Sequence, residues 1–119
     1  IRLGNRWRSC FIAYAMMNDV AAMTRIQKAL RDAQLRGHQI VGSQWQYGCL
    51  LSVEQAEAVV EMVTTKWSDR SQNSGLFMAA ESHRFHGNHK RARELYQATM
   101  KAPYSFWDAI AEKRLRSLE

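Results

Sequence analysis

Apolar and small residues recur along this chain in three stripes that echo one another: Ala22, Ile26 and Ala29; Ala56, Val60 and Val63; Ala92, Tyr96 and Thr99. Each stripe occupies i, i+4 and i+7, which is one face of a helix. The first and second lie 34 residues apart at all three positions, the second and third 36. Such a period is that of stacked helix hairpins, where each unit leaves an apolar face for its neighbour to cover.

The local signals predict seven helices. Residues 5–17 carry Trp7, Cys10, Phe11 and Tyr14 on one face, and Asn18-Asp19 ends the run as a turn and a helix start. Residues 20–36 follow, with Leu30 and Ala33 extending the stripe and Gly37 as the C-terminal stop. A two-residue break folds the pair back as an antiparallel hairpin. Residues 38–50 are compatible with a helix, although Gly42 and Gly48 each cost about 1 kcal/mol in a helix interior. Ser52 and Gln55 form a capping box for a helix over 53–68. Residues 68–75, SDRSQNSG, read as a loop because Ser, Asn, Asp and Gly crowd there. Helices over 76–86 and 89–101 meet at Gly87-Asn88, and Pro103 stops the second. Ser105 and Asp108 suggest another capping box, opening a last helix over 106–117.

These features resemble the tetratricopeptide repeat, a helix-turn-helix unit of 34 residues. The third unit carries the resemblance best, with Ala79 and Ala80, Gly87-Asn88, Ala92, Tyr96 and Pro103 at the family's small, turn, anchor and stop positions. In the first unit Trp7, Cys10 and Tyr14, then Ala22, Ile26 and Ala29, take those places. The middle unit departs from the pattern, with Ser43 and Gln44 where a leucine and a small residue are expected. The resemblance implies an all-α, right-handed solenoid filling residues 1–119 as a single domain. Its repeats run about 5–37, 38–70 and 74–103, with a capping helix over 105–118. It also implies a concave groove lined by Asn5, Arg8, Ile12 and Met16, by Val41 and Trp45, and by Phe77, Glu81 and Arg84.

Composition changes the picture little. Hydrophobic residues make up 46% and charged residues 24%, as in ordinary folded proteins rather than disordered ones. No apolar run approaches the roughly 18 residues of a membrane span. The chain opens on Ile1, as a fragment or a mature protein would; the expected compartment is the cytoplasm, with an exported one as the alternative if a leader has been removed. The two cysteines, Cys10 and Cys49, are too few for a disulfide framework and read as small buried hydrophobes. Charge is informative. The net +6 is basic at both ends and acidic between residues 38 and 70, which suits an acidic partner.

Candidate chemistry is sparse. His83, His86 and His89 bring metal ligands to mind, but Gly87-Asn88 breaks the helix before the third, and no metal site is expected. No nucleophile motif or phosphate loop is present, so neither enzymatic activity nor a cofactor is expected. Basic residues cluster at Arg2, Arg6 and Arg8, at Lys90, Arg91 and Arg93, and at Lys113, Arg114 and Arg116. The leading expectation is a protein-interaction module of a larger regulatory, secretion or assembly protein. It would hold a peptide or amphipathic helix, with Ile12, Met16, Trp45 and Phe77 as anchors and Arg8 and Arg84 as charge readers. The alternatives are a nucleic-acid-binding repeat using the basic faces and a self-association domain forming a homodimer.

Overall fold

The computed structural model describes the backbone of residues 2–3, 5–37, 39–40, 48–66 and 68–118, and the side chains of residues 10–37, 48–66, 68–69 and 71–118. Among these, a two-residue strand pair apart, the regular structure is helical. It comprises α1 (Asn5–Met16), α2 (Val20–Leu35), α3 (Val53–Thr65), α4 (Asp69–Phe85), α5 (His89–Lys101) and α6 (Asp108–Ser117), with a 3-10 turn over Gly48–Leu50. Two residues at the start, Arg2 and Leu3, pair in parallel with Gln39 and Ile40. No helix among the described residues is long and apolar enough to cross a membrane.

Two hairpins share one elbow. Between α1 and α2, Met17, Asn18, Asp19, Val20 and Met23 donate backbone N–H to Ala13, Ala15, Tyr14, Asn18 and Asp19. Between α4 and α5, His86, Gly87, Asn88, His89 and Ala92 donate to Ser82, Arg84, His83, Gly87 and Asn88. Every donor and acceptor is displaced by the same 69 residues. Asn18 (φ 56°) and Gly87 (φ 79°) both take the left-handed conformation that reverses the chain. These elbows correct the register of the sequence stripes. Counted from the helix starts, Met23, Gln27 and Leu30 are the counterparts of Ala92, Tyr96 and Thr99, and all six are buried. Ala29 is exposed, because the stripe taken from spacing alone runs one residue early.

Ser52 and Gln55 form the expected capping box at the start of α3. Pro103 acts as expected as well: α5 ends at Lys101 and Ala102 turns to an extended conformation before it.

Residues 68–75 are the main departure. Instead of a loop they form the first turns of α4, which starts at Asp69. Two of their polar side chains, those of Asn73 and Ser74, are used inside the bundle. Asn73 is 1% exposed; its amide donates to Thr99 O at 2.9 Å and to Asp108 Oδ1 at 2.8 Å, and its Oδ1 accepts from Trp107 N at 3.0 Å. Ser74 Oγ accepts from Trp107 Nε1 at 3.0 Å. Asp108 is therefore committed to Asn73, no Ser105–Asp108 capping box forms, and α6 begins at Asp108 rather than residue 106. Of residues 38–50, the described end is the 3-10 turn rather than a helix; residues 38 and 41–47 lie outside the described residues. An added Cβ on Gly48 would sit 2.3 Å from Met78 O, so this turn presses directly on the α4 backbone.

α4 is the axis of the molecule. All eight residues from Leu76 to His83 are buried, a helix covered on every side rather than along one stripe. α3, α5, the 3-10 turn and α6 surround it. Trp107 stacks on Phe77 with centroids 4.5 Å apart and reaches Phe11 of α1 at 6.0 Å. Lys113 Nζ then donates to Asn18 O at 2.8 Å, so the last helix returns to the first elbow. The radius of gyration is 13.3 Å, close to the roughly 13.5 Å expected of a compact chain this long.

Candidate functional site

Glu81 sits in the middle of α4's buried run and is 0% exposed. Side chains from three other helices converge on its carboxylate. Oε1 accepts from Tyr96 Oη at 2.8 Å and from Arg114 Nε at 2.9 Å; Oε2 accepts from Arg84 Nη2 at 2.8 Å and Gln27 Nε2 at 3.0 Å. Arg114 also donates to Thr24 Oγ1 at 2.9 Å and Gln27 Oε1 at 3.2 Å. Burial alone would push this carboxyl up; the guanidiniums of Arg114 and Arg84, with the Arg84 and Tyr96 hydrogen bonds, hold it down at about 2. Burial and the Glu81 charge together push the Tyr96 hydroxyl well above its ordinary range. Every acceptor position of the carboxylate is taken, so Glu81 fastens α2, α4, α5 and α6 and has no face for a substrate.

A second cluster lies across α3, α4 and α5. Arg91 grips Glu57 with two bonds, 2.7 and 2.9 Å, and Glu94 with one of 3.0 Å. His83 is 2% exposed; its Nδ1 lies 3.3 Å from Asn88 Nδ2. Its Nε2 is 3.0 Å from Glu57 Oε1, without the alignment of a proper hydrogen bond. The Arg91 hydrogen bonds lower the Glu57 carboxyl despite burial. Burial lowers His83 against the pull of Glu57. The three histidines go separate ways: His83 to this cluster, His86 to Leu51 O at 3.0 Å, and His89 to solvent. Among the described residues no group of three His, Cys, Asp or Glu side chains is placed to hold a metal.

The predicted groove residues are dispersed. Phe77 and Glu81 are buried beneath α6, and Arg84, 17% exposed in its side chain, is tied to Glu81. Ile12 is half-buried against the core, while Met16 is 70% exposed at the end of α1. Val41, Trp45 and the side chains of Asn5 and Arg8 lie outside the described residues. Cys10, expected to be buried, is exposed; Cys49 is buried, and burial pushes its thiol up to about 12. Of the expected surface basic residues, Arg114 is 5% exposed and belongs to the Glu81 network, and Arg91 belongs to the Glu57 cluster. The sequence did carry a sign of Arg114's role. It lies in line with Trp107, Ile110, Ala111 and Leu118, on the apolar face of its helix.

Compared with known protein families, characterised proteins and solved structures, the chain matches none.

Proposed function

We propose that the chain is a protein-interaction module, with helix hairpins of the tetratricopeptide kind stacked as a right-handed solenoid and α6 as its cap. The two bond-for-bond elbows 69 residues apart support that architecture, since this is close to two periods of the sequence repeat. The docking surface in this reading is the outer face of α1. The groove positions of α4 lie under the cap.

The observation that carries the proposal is the apolar end of α1. Cys10, Ala13, Met16 and Met17 are exposed, the two methionines by 70% and 63%. Lys113 stands over the adjoining elbow through its bond to Asn18 O. Flexible thioethers beside a cation fit an amphipathic helix with an acidic rim. The test is affinity capture from lysate with the wild-type chain, Met16→Asp/Met17→Asp and Lys113→Glu. The expected outcome is a set of acidic proteins held by the wild type and lost, by about tenfold or more, with the double substitution. Capture unchanged by both variants would discard this surface. Retention of nucleic acid instead, falling steeply with salt, would favour the basic faces as the working ones.

A further inference from the structure

At the far end of α2 from the elbow, an open cleft of about 240 Å³ lies between α2, the 3-10 turn, the start of α3 and the end of α4. At roughly 30 Å³ per molecule it has room for about eight waters, the scale of a small organic acid. Its walls are of two kinds. Leu35, Leu50, Leu51 and Cys49 make an apolar side, while Arg31, Gln34, Gln55, Ser52 and His86 make a polar one.

Three features suit this cleft to an anion with an apolar tail. First, among the described residues no acidic side chain lines it. Among the described residues Arg31 has no carboxylate partner, unlike Arg84, Arg91, Arg114 and Arg116. Second, Arg31 is held in place rather than loose. Its Nη1 donates to Phe85 O at 3.1 Å and its guanidinium lies 5.8 Å from the Phe85 ring centre, which leaves other N–H groups to donate. His86 is fixed at the same end by Leu51 O. Third, Leu35 is 76% exposed at the mouth, a large apolar side chain with little to cover it. The first-turn donors of α3 are partly satisfied by the Ser52–Gln55 capping box, so the attraction comes from the Arg31 guanidinium rather than from the helix end.

We propose that this cleft binds a small amphipathic carboxylate, its head paired with Arg31 beside His86 and its short apolar tail against Leu35, Leu50 and Leu51. The buried Cys49 thiol serves there as apolar wall. Recognition is by charge and shape, and no covalent step is involved. The site is independent of the α1 surface, and neither proposal depends on the other.

Calorimetric titration of the full chain with octanoate, acetate and octylamine tests the assignment. Octanoate should bind in the roughly millimolar range or tighter. Acetate, lacking the tail, should bind at least tenfold more weakly, and octylamine, with the same tail and opposite charge, should not bind. Backbone amide shifts on octanoate addition should centre on Leu50, Leu51 and Gln55. Arg31→Gln should weaken octanoate by about tenfold, the usual scale for a charge-assisted pair. Gln55→Glu supplies a second test that does not threaten the fold, because glutamate also completes a capping box. It places a repelling carboxylate on the rim and should weaken octanoate similarly. No octanoate binding overturns the proposal. So does octylamine binding equally well, Gln55→Glu leaving affinity unchanged, or amide shifts centred elsewhere.

Discussion

The hairpins α1/α2 and α4/α5 turn on the same hydrogen bonds, yet they occupy opposite stations in the molecule. α1 buries one face through Phe11 and Ala15 and shows the other to solvent, with Met16 and Met17 largely bare. α4 has no free face from Leu76 to His83. The 69-residue displacement places Ile12 of α1 opposite Glu81 of α4, and Gln27 of α2 opposite Tyr96 of α5. Gln27 and Tyr96, equivalent by this register, both bond the Glu81 carboxylate. Local geometry therefore repeats while environment does not. The elbow is set by a few backbone torsions, but centrality is set by what packs against the helix. In α4 the helices α2, α3, α5 and α6 and the Gly48 turn all do so.

The largest expected effect breaks the buried Glu81 centre that α4 carries. Arg114→Met removes the charge that most lowers Glu81 and three hydrogen bonds to Glu81, Thr24 and Gln27 at 3.2 Å or less. Removing one partner of a buried pair costs about 3–5 kcal/mol, because the other charge stays buried. Arg116→Met, two residues on, removes an exposed pair with Glu112 and should cost within about 0.5 kcal/mol. Urea unfolding of both variants at neutral pH measures the difference. Equal losses would mean that Glu81 does not organise the centre.

Acid offers a second route to the same contrast. Glu81 titrates at about 2 in the fold against 4.5 ordinarily. A depressed carboxyl stabilises the fold above pH 4.5, and that stability is lost as pH falls from 4.5 through 2. The shift corresponds to about 3 kcal/mol. His83, lowered in the fold, adds an earlier loss that begins as pH drops below 6.5. Glu81→Gln should be less stable at neutral pH and should lose less between pH 4.5 and 2 than the wild type. Parallel curves for the two proteins across that window would sink the assignment.

How much of this was legible depended on whether the signal was local. The elbows at Asn18-Asp19 and Gly87-Asn88, the Ser52–Gln55 box and the Pro103 stop are written in a few adjacent residues, and all appeared in the fold. Asn73, Ser74 and Asp108 show the opposite case. Within SDRSQNSG a polar residue looks like loop, and only Trp107 and Thr99, at least 26 residues away, make Asn73 an interior side chain. Arg114 was half legible, being on an apolar stripe but read by its charge. The burial of Phe77 and Glu81 was not legible because it depends on where α6 lies, and no local pattern states that. Phe77 looks the same in sequence whether it faces a partner or Trp107.

The smallest effect tests whether the shared elbow is independent of these stations. Gly87 has φ 79° and an added Cβ would meet nothing within 4 Å. Gly87→Ala should therefore cost only the left-handed backbone penalty, about 1–2 kcal/mol. Asn18, at φ 56°, already bears a side chain that tolerates this region. Asn18→Gly should shift stability by no more than about 0.5 kcal/mol, because easier torsion is offset by greater freedom of the unfolded chain. Asn18→Ala should then fall close to Gly87→Ala when each is measured against glycine at its own site. Thermal unfolding of the three variants supplies the comparison. If the alanine penalty at residue 87 exceeds that at residue 18 by more than about 1 kcal/mol, strain at the α4 elbow is being passed into the Glu81 centre, and the two turns, alike in every backbone bond, would not be mechanically equivalent.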